Sequence, residues 1–423
     1  MRQDRIFEAL AARFGGLWRH ADFRLLWASL TITHFGGQFT LLALPLAAAL
    51  LLNASPLQMG ILTAFEALPF ALFGLFAGVL VDRSRKLPLI IAADVARGAA
   101  LMLIPCAAWL GFLSMPMLYA VAFLAGTGGV VGWAAYQVLM TERVGRENLI
   151  EANAKIALSE SGAQLIGPGI AGVAIQWLTA PVAILFDALS FFASAWLLRG
   201  IAPSDRDRPR RAADGSSIWR EIADGLRSIW HNEVLRSIAW SVALWNLLRH
   251  MYMAIVILYA TRVLELSAGA IGAAWMGGGV GCIAASAIAT RVNRRHGMGS
   301  VMLGGLFLTG LAWGLIGLVR AGSVATPLGL AFGIFAFDLG GTLFFINYLT
   351  LRQALTPDHL LGRVTSTMIF LTVAIAPLGS LLGGALGGWI GLRQTIWIIA
   401  GCGILLGLLL IRVSPLPGLR RLP

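Results

Sequence analysis

Apolar runs of bilayer length recur along this sequence, and that recurrence constrains the fold more than any single motif. A helical residue rises about 1.5 Å and a hydrocarbon core is about 30 Å thick, so roughly 20 consecutive apolar residues are enough to cross it. Twelve stretches qualify: 25–52, 58–81, 87–110, 117–140, 157–178 and 181–198, then 237–263, 268–289, 300–319, 326–351, 364–390 and 394–411. Helices are forced on them, because an unpaired backbone amide in lipid costs several kcal/mol and no alternating barrel pattern is present. Composition agrees, since 58% of residues are apolar and only 12% charged, about half the charged share of soluble proteins. The expected fold class is an all-α membrane protein with 12 transmembrane helices in two pseudo-symmetric six-helix bundles. The 50 glycines fit close helix contact in lipid.

A formal charge of +12 raises the question of nucleic acid, and the placement of the cations answers it. With both termini on one side, 27 of the 32 Lys and Arg fall in the two tails and the even-numbered loops. Only Arg262, Arg320 and Arg393 fall on the other side, while Arg97 and Arg249 lie within spans. This is the positive-inside asymmetry. It predicts a multi-pass protein of the inner, cytoplasmic membrane with both termini cytoplasmic, and it leaves nucleic acid without a role. The basic N-terminus before the first run imitates a signal peptide, but that run is about twice the length of an h-region, so it is expected to stay as the first helix. Cys106, Cys282 and Cys402 sit inside apolar runs and read as small core residues.

The expected organisation is a six-helix bundle over 1–198, a cytoplasmic linker over 199–236 and a second bundle over 237–423. The linker holds Pro203, Pro209 and the run Arg206-Asp207-Arg208-Pro209-Arg210-Arg211. Its later part places Ile218, Trp219, Ile222, Leu226, Ile229 and Trp230 on one helical face, as in a helix lying on the inner leaflet. A shift of 211 residues lays Val81-Asp82-Arg83 on Val292-Asn293-Arg294. Slightly drifted, it lays Gly167-Pro168 and Gly172 near Pro377, Gly379 and Gly383. Duplicated transporter halves show such self-similarity, with the substrate site at mid-membrane between them.

Three local patterns carry a family resemblance. The loop Gly78-Val79-Leu80-Val81-Asp82-Arg83-Ser84-Arg85-Lys86 is similar to the G-x-L-a-D-R-x-G-R-K gate motif of the major facilitator superfamily, with Arg85 where the pattern has glycine. Gly167-Pro168-Gly169-Ile170-Ala171-Gly172 is similar to the G-P-x-x-G-G signature of its exporters. Helix 1 carries Gly36-Gly37-Gln38-Phe39 and Ala43-Leu44-Pro45, with Gly37 where many exporters have an acid. The whole chain resembles that superfamily, and within it the drug and siderophore branch that includes the enterobactin exporter and macrolide efflux proteins. The resemblance implies a gate loop of Gly78, Asp82, Arg83, Arg85 and Lys86, which pairs across the halves or meets the N-terminus of helix 11. It also implies a hinge at Gly167, Pro168 and Gly172, a cavity lined by helices 1, 4, 7 and 10, and a monomeric protein.

Ionisable groups at mid-bilayer are costly and normally face the bundle interior. Glu66, Arg249 and Asp338 lie near the centres of their spans. The 211-residue shift relates Arg249 to Gln38 and Asp338 to Thr127, so four polar positions are expected to converge on the cavity that the resemblance implies. Two readings stay open. In one, Glu66 or Asp338 takes up a proton and Arg249 releases it or binds an anionic substrate group; in the other, Asp338 and Arg249 form a permanent pair that fixes packing. Tyr136, with Trp133, is a candidate to flank an aromatic substrate. His34 and His250 are weaker candidates, while Glu160, Asp187, Asp94 and Arg97 lie nearer span ends, where gating or packing is the first reading.

No phosphate loop, metal-ligand spacing or nucleophile elbow is present in the sequence, so an enzyme is not expected, and neither a cofactor nor a metal. The expected function is secondary active transport, proton-coupled efflux of small amphipathic drug-like or siderophore-like molecules by alternating access. Its partners would be the substrate, protons and the lipid bilayer. The alternative is a lysophospholipid flippase in which Arg249 holds a phosphate and carboxylate coupling is unnecessary.

Overall fold

The computed structural model describes residues 16–202, 226–227, 229–356 and 361–418. Its helices are α1 (Ala21–Leu50), α2 (Pro56–Asp82), α3 (Lys86–Trp109), α4 (Met115–Val144), α5 (Leu149–Leu178) and α6 (Ala180–Leu198) in the first bundle. The second bundle has α7 (Glu233–Leu258), α8 (Ala268–His296), α9 (Met298–Leu318), α10 (Thr326–Leu355), a divided α11a (Leu361–Ala374) and α11b (Ala376–Trp389), and α12 (Leu392–Val413). A π turn, Tyr259–Val263, prolongs α7. Eleven helical segments have the length and hydropathy to cross a membrane. The twelfth, α5, is diluted by Gln164, Gln176 and four glycines. Large apolar side chains such as Trp177, Trp196, Phe332, Leu405 and Trp389 are exposed on the outside, as expected when lipid rather than water is the solvent.

Most helices run a few residues past the apolar stretches that announce them, and α5 begins at Leu149 rather than near 157, because polar turns extend beyond the hydrocarbon. Helix 11 departs further. The run 364–390 reads as one span, yet the helix breaks at Ile375 and restarts with Pro377 in its first turn. A proline there has no amide to donate to the preceding turn, so the ladder stops and resumes. The cysteines also differ from expectation: Cys106 and Cys402 are exposed on the outside of the bundle, since a thiol costs little in lipid.

In the first bundle α1 packs on α5 and α6, α3 on α4 and α6, and α2 on α4. In the second, α10 packs on α8 and α9, α12 on α9, and α7 on α11b. The bundles meet chiefly through α2 against α11b and α5 against α8. Both seams depend on glycine. A Cβ on Gly60 would lie 2.6 Å from the Ser380 carbonyl oxygen, and one on Gly384 would lie 2.6 Å from that of Pro56. In the other seam a Cβ on Gly172 would lie 2.7 Å from the Ala268 carbonyl oxygen. Real Cβ atoms do not approach so closely, so only glycine permits these crossings.

Both seams are tightest at the face opposite the chain ends. Hydrogen bonds between the halves gather there too: Arg262 donates to the Ala54 carbonyl at 2.9 Å, and Ser267 and the Gly269 amide donate to Gln176 Oε1 at 3.2 and 3.0 Å. The turn after α5 uses Thr179 at φ 85°, and the turn after α11b uses Gly391 at φ 94°. That left-handed geometry suits glycine and strains threonine. At the chain-end face the α2–α3 loop is solvent-accessible, with Asp82, Arg83 and Arg85 exposed, and Ile150 and Leu158 at the start of α5 are uncovered. The molecule is closed at one face and parted at the other.

Of the amphipathic segment expected in the linker, Ile218, Trp219 and Ile222 lie outside the described residues. Ile229 is buried against Leu235 and Ile238 of the second bundle, while Leu226 and Trp230 are exposed.

Candidate functional site

The candidate site lies between the bundles, near the middle of the helices. Spacing over two turns puts Thr63, Glu66, Ala67 and Phe70 on one side of α2, and Asn246, Arg249 and His250 follow the i, i+3, i+4 rule on α7. These residues, with Val373 and Ala376 at the break in helix 11, line one cavity of about 350 Å³. The break serves the site directly. Asn246 donates its amide to the Thr372 carbonyl in the last turn of α11a, so α7 ties down a helix end that would otherwise lack a partner.

Glu66 from the first bundle is exposed on the cavity wall. Arg249 from the second faces the same space, its guanidinium 3.5 Å from His250 Nε2 and over the Trp245 ring at 5.9 Å. Arg249 and Asp338 of α10 interact electrostatically, and the Asp338 carboxylate rests where Gly278 of α8 has no side chain. The His250 Nδ1 is buried without a hydrogen-bond partner. The arrangement is an acid and a guanidinium from opposite bundles facing one cavity with a largely apolar wall, with a second acid acting on the guanidinium.

Arg249 and Asp338 come together as the repeat implies, but their counterparts do not join them. Gln38 lays its Cβ and Cγ against Gly167 of α5, where it packs the crossing beside Pro168. Thr127 returns its hydroxyl to the Phe123 carbonyl at 2.8 Å, within its own helix. Tyr136 is buried in the first bundle among Val81, Leu87, Ile90 and Leu139, away from the cavity lining, and its hydroxyl has no hydrogen-bond partner. Trp133 is 60% exposed. Of the gate-loop residues, Gly78 has open space around it and Lys86 is buried at the start of α3. Gly167, Pro168 and Gly172 lie within a continuous α5, where Gly167 meets Gln38 of α1, and Pro168 and Gly172 meet α8 at Gly272. Asn246 is the member of the site that sequence reasoning missed; its spacing from Arg249 was the available signal. Among the described residues no group of three or more His, Cys, Asp and Glu that could hold a metal comes together.

Comparison with known proteins adds an independent line. A family model described as Major Facilitator Superfamily matches residues 26–377. The multidrug efflux pump Tap of Mycobacterium tuberculosis is 28% identical over 375 residues, covering 86% of each chain. Tap of Mycolicibacterium fortuitum is 26% identical over 407 residues, 94% of this chain and 96% of that one. A crystal structure of the nucleoside transporter NupG superposes with a TM-score of 0.77 at 10% identity, covering 92% of this chain and 99% of that one; at that identity the likeness speaks to fold alone.

Proposed function

Because this chain belongs to the Major Facilitator Superfamily and is a multi-pass membrane transporter, we propose that it exports small amphipathic molecules by proton-coupled alternating access. The observation that carries this reading is the cavity, apolar over most of its wall, that Glu66 and Arg249 from opposite bundles share. A carboxylate that binds a proton when the cavity faces one side and releases it when it faces the other couples proton movement to the rocking of the bundles. In this scheme Glu66 or Asp338 takes the proton, and Arg249 releases it or receives an anionic group of the substrate.

The positive-inside pattern of the sequence assigns the parted face to the cytoplasm, with both termini cytoplasmic in a bacterial inner membrane. The described state would then be the one that loads substrate from inside. Residues 1–198 and 237–423 act as the two rocking units, joined by 199–236, in a monomer. The Asp82, Arg83, Arg85 and Lys86 loop engages the other bundle when the inner face shuts, and Gly167, Pro168 and Gly172 form the crossing on which α5 pivots. Likeness to the efflux pump Tap supports export of drug-like molecules.

The test uses proteoliposomes with ethidium as the transported probe and a pH dye inside. Glu66→Gln or Asp338→Asn should abolish ethidium-driven proton movement while ethidium binding persists. Full coupling in both variants would remove the proton role. Translocation of a fluorescent lysophospholipid by those same variants would instead favour a flippase.

A further inference from the structure

A second buried charge cluster lies wholly inside the first bundle, apart from the cavity. Asp94 and Arg97 of α3 face Asp187 of α6, and Arg97 interacts electrostatically with both acids. Ser194 of α6 donates to Asp94 Oδ2 at 2.6 Å and shares a 2.8 Å hydrogen bond with Ser29 of α1. Ser190 donates to Asp187 Oδ1 at 3.2 Å. The cluster is seated by glycines: a Cβ on Gly36 of α1 would lie 2.6 Å from Asp187 Oδ1, and one on Gly128 of α4 would lie 2.5 Å from Arg97 Cγ. Helices 1, 3, 4 and 6 therefore converge on it.

Two features set it apart from a static ion pair. The count of charges does not balance, with two carboxyl groups against one guanidinium and no further charged side chain acting on either acid from α1, α3, α4 or α6 among the described residues. Its hydrogen bonds are also incomplete. Arg97 Nε is buried without a partner and the guanidinium lies over the Phe191 ring at 4.0 Å, rather than forming a close salt bridge. The Thr40 hydroxyl, on α1, is buried and faces the Asp187 carboxyl. Asp94 and Asp187 are almost fully buried, and a second, uncompensated carboxylate in such a place is strongly disfavoured.

We propose that Asp94, Arg97 and Asp187 form a second proton-binding site, which holds one exchangeable proton shared by the two carboxyl groups and hands it to water when α1 and α4 shift. Loading converts the second carboxylate into a neutral acid by transfer of one proton from hydronium, leaving water. Loss of that proton leaves Arg97 between two anions, with Arg97 Nε as a spare donor for the new charge. Because α4 packs on α2, which lines the cavity, charging this cluster pulls on a helix beside the site. The inference rests on the transport reading for its use, but not on titration of Glu66 or Asp338.

The experiment is infrared difference spectroscopy between acid and alkaline buffer, on purified protein in liposomes. In the Glu66→Gln, Asp338→Asn double variant, where the cavity acids are absent, the carbonyl band of a protonated carboxyl should persist. Adding Asp94→Asn or Asp187→Asn to it should abolish that band, since either change leaves a neutral pair with Arg97. In the same background Arg97→Gln should raise the band about twofold at neutral pH, because both acids then need a proton. A band of undiminished intensity in both triple variants, or no change on adding Arg97→Gln, overturns the proposal. Loss of the band already in the Glu66→Gln, Asp338→Asn variant also overturns it, while leaving the cavity reading intact.

Discussion

Gly172 of α5 and Gly272 of α8 face each other so closely that a methyl group on either would stand 2.8 Å from the Cα of the other. The same contact recurs between Gly384 of α11b and Gly60 of α2, where a methyl on Gly384 would stand 2.8 Å from the Cα of Gly60. Both partners are displaced by 212 residues, so the two seams that close one face are symmetric copies of each other. The duplicated halves use one device twice. A valine at Gly272 or at Gly60 should therefore have the same consequence. Overpacking of this kind costs about 1–3 kcal/mol, enough to reduce the closed population roughly tenfold. Labelling of a cysteine introduced at Ser55 from the closed side should rise in both variants, and equal labelling of variant and parent would refute the assignment.

Arg249 and Asp338 give a second prediction. Both are half-buried, so removing one partner leaves a poorly compensated charge that costs stability, whereas removing both costs less. Arg249→Gln should lower the melting temperature in detergent, and the Arg249→Gln, Asp338→Asn double variant should recover most of the loss. If each single change is silent, the two residues are not energetically coupled.

The divided helix 11 gives a third. Pro377 stands where the ladder resumes after Ile375, and Val373 and Ala376 beside it line the cavity. Pro377→Ala restores an amide donor at the point where the ladder of α11a stops, so the two segments can join as one helix. The variant should melt at higher temperature but transport ethidium more slowly, because a continuous helix stiffens the cavity wall. Faster transport with unchanged stability would show that the break has no part in the cycle.

How far the site was legible follows from which forces act locally. Glu66, Arg249 and Asp338 could be singled out because each is a charge in lipid, a cost that is visible in one dimension. Gln38 and Thr127 could not be judged that way. A neutral polar side chain satisfies itself equally well against a neighbouring helix, as Gln38 does on Gly167, or on its own backbone, as Thr127 does at Phe123. Tyr136 misled for a related reason, since an aromatic ring is equally at home in a cavity and in a packed core. Asp94, Arg97 and Asp187 read as near-terminal charges in the chain, and only the crossing of α3 with α6 reveals them as one cluster.

The sequence by itself determined that this chain crosses a membrane many times, because lipid imposes its cost on each helix separately and the length of an apolar run records it. It also carried the duplication, in Val81-Asp82-Arg83 against Val292-Asn293-Arg294. What only the tertiary structure decided was contact between distant spans: which face is closed, where helix 11 breaks, and which charges share a space. Those depend on how helices far apart in the chain cross, and glycine contacts fix that crossing only after both partners are in place.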